Sequence, residues 1–463
     1  MQGLTVEESS RSAKRCPIAV GETIPPVPAM LQRALESIWA DTVRKAHGVP
    51  QEGFADMEKE FREKILKLAA NLLGEALACA LGTGYEGHKI ACSECGGRAK
   101  FVSHRPRTIT TLVQEIRLER SYYHCKKCGS GKVPLDRILS LNGTSFSPAV
   151  REAICLLDAE IPFDRGSNLL ERLSAIRLDK QEGRRIAEGL GQELERQTVE
   201  ELEKAWQPTK PVPREVAAMS ERMYFSPDGT TVHIGKEWKE AKVGTVFTTG
   251  IPRRGEDPER EHTRYVATMG DAEDLGKRMY VEGLKLGFDP EKTTPVVVAD
   301  GAHWIWNWAE ASLPKERVEI IDFYHASEKL WEVKRAVFGE DNPKGIRWAE
   351  TWKSKLYKGK VDACIRAMKR LKPKSKEGRE CVRKAVGYYE TNRKRMRYDK
   401  FRRQGYFIGS GVVESSCKRL VGARMKQAGM RWTREGAQAI LQVRLAVLNN
   451  RWDYLWAGRC GCA

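Results

Sequence analysis

The chain has 463 residues, 41% of them hydrophobic and 8% aromatic, which is enough apolar material for about three domains of ~100–200 residues each and excludes a peptide hormone, a disordered tail or a collagen-like fibre. Every window of eighteen residues contains a charge, and the most apolar run, Ile65 to Leu81, is interrupted by Lys67 and Glu75, so no membrane-spanning segment is expected. Glu7 and Glu8 precede any apolar run, in contrast to the basic start and hydrophobic core of a secretory signal, and a cytoplasmic protein is expected. The formal charge is +18 and is unevenly spread: residues 351–434 hold 26 Lys/Arg against 6 Asp/Glu, while the other 379 residues hold 54 against 56. Such a segment fits a polyanion, because neutralising phosphates releases condensed counterions; a solvated helical face is the plainer use of the same charge.

In chain order, Met57, Phe61, Ile65, Leu68, Leu72, Ala76 and Leu77 recur at helical spacing and predict an amphipathic helix, serving a core or a dimer face. Twelve cysteines without a secretory signal argue against a disulfide scaffold. Cys92-Ser-Glu-Cys95 and Cys125-Lys-Lys-Cys128 are two CxxC knuckles, 29 residues apart, each followed directly by glycine. Two thiolates on each tight loop can complete a closed tetrahedral structural zinc site, with His88, His104 and His124 near enough in sequence to substitute. Between the knuckles, residues 113–120 alternate as a strand. From Ser147-Pro148 to about Gln197 the pattern is helical. Within it, two amphipathic runs broken at residues 176–179 have the size of a helix-turn-helix or of an ordinary helical hairpin. Pro208, Pro211 and Pro213 mark a linker.

Beyond the linker, strands at 264–269, 295–299 and 318–321 alternate with helices at 272–286 and 304–311, which predicts a mixed sheet covered on both faces. Sites on such sheets lie past the carboxyl ends of the strands. Asp300 and Asp322 stand there, and converging carboxylates need a cation.

Three motifs now carry a resemblance: Val297-Val-Ala-Asp-Gly-Ala-His-Trp-Ile-Trp, Ile321-Asp-Phe-Tyr-His-Ala, and Ile408-Gly-Ser-Gly-Val-Val-Glu-Ser-Ser-Cys-Lys followed by Lys426-Gln-Ala-Gly-Met-Arg-Trp. With Tyr122-Tyr-His-Cys and Pro134-Leu-Asp, they make residues 90–455 similar to the bacterial insertion-sequence DDE transposases of the ISKra type, relatives of the Mutator-like transposases. The resemblance implies a multidomain α/β protein with an RNase H-like core, in which Asp228, Asp300 and Glu414 hold two Mg²⁺ or Mn²⁺ ions and Asp322-Phe-Tyr-His325 matches an Asp-x-x-His element. His325 would pair with Asp322, touch the scissile phosphate, or be structural at the sheet edge. Ser226-Pro-Asp-Gly229 spells a turn rather than the extended strand usual before the first acid, so the alternative to Asp228 as first acid is that it is only a turn residue and Glu237 takes its place.

The implied organisation is a helical region (1–88), a zinc ribbon (89–140), a helical region with the possible helix-turn-helix (141–206), a linker (207–215), the first part of the core (216–330), a basic helical insertion (331–405), the last part of the core with the third acid (406–455) and a tail (456–463). Double-stranded DNA would be met by Lys369, Arg370, Lys418, Arg419, Arg424 and Lys426. Tyr388, Tyr389, Tyr398, Phe401 and Tyr406 interleave with this charge and suit either base stacking or helix packing. The expected activity is strand cleavage and transfer by a homo-oligomer at terminal inverted repeats. A catalytically inactive, domesticated, zinc-dependent DNA-binding regulator and a nuclease without strand transfer are the alternatives.

Overall fold

The computed structural model describes residues 26–460 except 142, 206–211, 217–220, 251–257 and 410. Most of the expected proline-rich linker and the extreme N-terminus with Glu7 and Glu8 lie outside the described residues. Two compact units are present: residues 26–154, 164–180 and 454–460 form one, and residues 155–163 and 181–453 form the other. Among the described residues no helix is long and apolar enough to cross a membrane.

In the first unit, α1 (Ala29–Glu52) and α2 (Phe54–Leu81) form a hairpin joined at Gly53, whose φ of 82° suits a residue without a Cβ. Lys45 with Glu60 and Lys64 with Asp41 tie the two helices antiparallel. Of the apolar stripe read at residues 57–77, only Leu77 is on the face of α2 that covers a sheet, where it lies with Ala70 and Leu81 among Ile109, Ile116, Leu118 and Leu135; Leu68 is buried elsewhere on the helix, and Phe61, Leu72 and Ala76 are exposed. That sheet is antiparallel, in the order β1 (Lys89–Ala91), β2 (Arg98–Thr111), β3 (Gln114–Cys125), β4 (Gly131–Lys132). The strand read at 113–120 is therefore the second arm of a longer hairpin. Its tip lies at residues 112–113, where Thr111 Oγ1 donates to the Gln114 carbonyl at 2.7 Å and Gln114 takes a φ of 92°. α3 (Pro134–Ile138), α4 (Pro148–Glu160) and α5 (Phe163–Ser174) follow. The pair expected as a helix-turn-helix is α5 and α6 (Lys180–Ala205); the division between the units falls between them.

The second unit is built on a five-stranded mixed sheet, introduced in chain order as β5 (Arg222–Ile234), β6 (Glu237–Thr249), β7 (Arg260–Thr268), β8 (Thr294–Ala299) and β9 (Val318–Ile321). Across the sheet the order is β7-β6-β5-β8-β9, and β6 alone runs against the others. The two-residue turn between β5 and β6 uses Gly235 at φ 60°. α7 (Ala272–Lys285) and α8 (His303–Ser312) fill the connections β7–β8 and β8–β9. Gly244 on β6 faces Met279 of α7, while the next residue, Thr245, hydrogen-bonds Ser416, so the sheet is covered on both faces as its apolar strands require.

After β9, a helical stretch comprises α9 (Phe323–Phe338), α10 (Pro343–Tyr357), α11 (Val361–Lys369), α12 (Lys376–Thr391), a 3₁₀ turn (Arg393–Met396) and α13 (Tyr398–Arg403). Its buried face, including Leu356, Cys364, Met368 and Tyr389, is continuous with the core over the sheet. The chain then re-enters the sheet region through α14 (Gly411–Ser416), a π turn (Cys417–Gly422) and α15 (Ala423–Met425), and this unit closes with α16 (Arg434–Leu448); α17 (Trp452–Cys460) belongs to the first unit from Tyr454 onward. α6 lies so close to α16 that a Cβ on Gly191 would stand 2.1 Å from the Ala439 carbonyl oxygen. We expect Gly191→Ala to cost roughly 1–3 kcal/mol in denaturant unfolding, because backbone cannot yield, whereas Gly189→Ala on the same helix, with nothing within 4 Å, should be neutral or stabilising.

Candidate functional site

The four knuckle cysteines come together at the base of the β2–β3 hairpin, where Ala99 pairs with Cys125. Their sulfurs all lie within 4.8 Å of one another, with Cys92 to Cys128 at 3.6 Å and Cys95 to Cys125 at 3.7 Å. These separations are far beyond a disulfide bond and match the ~3.8 Å edge of a tetrahedron with ~2.3 Å zinc–sulfur bonds. The cluster can therefore hold a structural metal such as zinc. His104 is engaged instead with Ser121 at 3.2 Å, and the ligand set contains no histidine. The Ser130 hydroxyl, with the backbone N–H groups of Cys95 and Glu94, brings the Cys92 thiol down to about 6, favouring the thiolate a metal needs. Among the described residues these cysteines are the one group of three or more metal-ligating side chains gathered this closely; Asp228, Asp300 and Glu414 do not form such a group.

The acids are nevertheless set out in order on the sheet of the second unit. The Ser226-Pro-Asp-Gly229 stretch, expected as a turn, runs inside β5, with Pro227 opposite Gly244 and Asp228 opposite Val243. Pro227 is tolerated in a central strand because pairing with β8 has ended at Phe225, leaving that side of β5 without a ladder to break. The parallel register ends at Phe225–Val297, and Ser226 Oγ still reaches the Val298 carbonyl at 2.7 Å. Continued three residues, it sets Asp228 opposite Asp300; the β8–β9 register, ending at Ala299–Ile321, sets Asp300 opposite Asp322. Extended past the last paired residues, the two registers would set the three aspartates at one level.

Each aspartate has one oxygen fixed by a backbone N–H: Asp228 Oδ1 by Gly229 at 2.7 Å, Asp300 Oδ1 by Ala302 at 2.9 Å and Asp322 Oδ1 by His325 at 2.7 Å. Asp322 is buried and caps α9, so its visible role is structural, while the His325 ring is half-buried one turn away. Burial raises the Asp228 carboxyl above its usual range, and the Asp300 charge adds to this against the Gly229 N–H and the Cys417 thiol. A cation between the two acids would relieve both effects. Glu237, the possible substitute, is exposed at the start of β6 and paired with Lys239.

Glu414 is exposed in the first turn of α14. Three residues on, and so on the same helical face, Cys417 donates its thiol to Asp228 Oδ2 at 3.4 Å. Burial, then the Asp228 charge, pushes the Cys417 thiol up and keeps it protonated. The contact ties the Glu414 helix to the Asp228 strand, and the tie sits where the helix loosens into its π turn. Sequence reasoning passed over Cys417; its position three residues after the acid was the available signal.

Of the residues expected at DNA, Arg370, Lys418 and Arg419 are exposed, Lys426 is exposed and bonded to the Thr230 hydroxyl, and Lys369 is paired with Glu390 at 2.6 Å. Arg424 is different. It is completely buried, donating to the Asp158 carbonyl at 2.8 Å between the rings of Phe163 and Trp432 at 4.7 and 5.0 Å, and it is a structural cation rather than a phosphate ligand. Tyr389 and Tyr398 are likewise core residues.

This chain belongs to the family described as uncharacterised protein family UPF0236, whose sequence model matches residues 54–453. No curated protein matches it.

Removing the metal tests the cysteine site. Purified protein should carry one zinc per chain, and Cys125→Ser should lose it with a drop in thermal stability worth several kcal/mol, as expected when metal binding and folding are coupled. Elemental analysis beside a melting curve gives both readings, and a metal-free protein that melts unchanged would contradict the assignment.

Proposed function

We propose that the chain is a DNA transposase similar to those of ISKra-type insertion sequences, cleaving and joining strands at the ends of its element on an RNase H-like core. The observation that carries this reading is the sheet. Its order β7-β6-β5-β8-β9, with only β6 reversed, is compatible with an RNase H-like core, and acids stand on β5 and just past β8, at positions that the parallel register matches when extended. The donor set fits hard divalent cations, since aspartate and glutamate oxygens suit Mg²⁺ or Mn²⁺. When bound there, two such ions would activate the attacking oxygen and stabilise the leaving one.

The protein's own part is positioning. Asp228 and Asp300 each have one oxygen fixed by a backbone N–H, and the Asp300 charge acts on Asp228. Glu414 is brought to the same region by the Cys417–Asp228 contact. Lys418 and Arg419, exposed next to it, would hold the phosphate backbone, and Lys426 beside Thr230 extends that line. The zinc ribbon and the helices of the first unit would recognise the terminal repeats, and a homo-oligomer would bring two ends together in the cytoplasm.

Asp300→Asn should leave binding of the element's ends unchanged and reduce strand cleavage in Mg²⁺ or Mn²⁺ by at least about 100-fold, as the loss of one preorganised electrostatic group does elsewhere. Cleavage that survives the change would sink the catalytic reading. A wild-type protein that binds ends but never cuts would favour the regulatory one. Cleavage without end joining would identify a nuclease.

The charge has its own test. Replacing Lys418 and Arg419 by Gln should reduce the slope of log affinity against log salt by roughly 0.9 for each lost phosphate contact. Arg424→Gln should instead lower the melting temperature, because its partners are a carbonyl and two rings.

A further inference from the structure

Tyr388, on α12, lies against the loop that presents Asp300. A Cβ on Gly301 would be 2.1 Å from Tyr388 Cε2 and 3.0 Å from Cζ, so the phenol ring rests on the backbone directly after the acid and only glycine leaves room for it. The hydroxyl is buried and makes no hydrogen bond. The Tyr398 hydroxyl is likewise buried without a partner, whereas the neighbouring Tyr389 donates to the Ala326 carbonyl at 2.7 Å. A buried hydroxyl without a partner is uncommon and calls for a reason such as a missing ligand. Burial, then the charges of Asp300, Asp322 and Glu332, hold the phenol protonated and so able to donate at working pH.

We propose that Tyr388 is a catalytic residue supplied by the helical stretch, donating its O–H to a non-bridging phosphate oxygen of the strand held at Asp300. This rests on the reading of the site as a phosphodiester-cleaving centre. The oxygen gains negative charge as the phosphate reacts, so a fixed donor there acts more strongly on the transition state than on the bound strand, and no proton has to be transferred. The same contact makes the site depend on α12 being seated on Gly301.

The test uses the full-length, zinc-loaded protein and nicking in Mn²⁺ of a supercoiled plasmid carrying the DNA that flanks the chain's own gene. Tyr388→Phe removes one unpaired oxygen. It should slow nicking roughly 10–100-fold, with DNA affinity unchanged and the melting temperature equal or slightly higher. Gly301→Ala, which displaces the ring but keeps the phenol, should show a comparable loss of rate. A Tyr388→Phe protein that nicks at the wild-type rate overturns this inference and leaves the proposed function standing. One that melts lower in proportion to its lost rate also overturns it, by showing a structural role. If the wild type does not nick and Asp300→Asn behaves identically, the function itself falls and this inference with it.

Discussion

Like charges on neighbouring strands repel, and in the larger unit burial and the nearby Asp300 charge both raise the Asp228 carboxyl. Asp228, Asp300 and Asp322 follow from the register of β5, β8 and β9, and a shift of one residue would turn each side chain to the opposite face. The backbone meets the cost locally, since each carboxylate accepts one N–H from its own following residues. The apolar strands, the covering helices and the close packing of Gly244 on Met279 serve to keep that register rigid.

The parts of the resemblance motifs divide between chemistry and architecture. Asp300 and Gly301 belong to the proposed site, the aspartate by its place after β8 and the glycine by its contact with Tyr388. Trp432, at the end of the last motif, pairs with His233 at the β5–β6 turn and lies beside the buried Arg424 guanidinium. A long conserved-looking string in a single chain can thus be half machinery and half scaffold, and only the contacts tell them apart.

Much of this was legible in the residues. The strand at Val318–Ile321 and the helix from Ala272 have the expected limits, because short β-branched runs and a capping Asp271 are strong local signals. The cysteine cluster was legible because its spacing is a geometric statement about loops. The Ser-Pro-Asp-Gly stretch misled, since its residues favour a turn by themselves and adopt a strand only because β6 pairs along its whole length. The first arm of the ribbon hairpin, β2, is too rich in Lys, Arg and His for its alternation to show. Arg424 misled for the opposite reason: charge reads as surface, and nothing local reveals that a distant carbonyl and two rings enclose it.

The placement of α14 has a consequence for how the protein is made. Asp228 and Asp300 emerge early in the larger unit, whereas Glu414 and its anchor Cys417 come after the whole helical stretch and must return to β5. Such long-range closure is expected late in folding, because distant contacts incur the greatest loop-closure cost before they are rewarded. A nascent chain would carry its sheet and its cysteine cluster before it could bring Cys417 to Asp228, so the strand cleavage proposed above would be withheld from incomplete copies by topology alone.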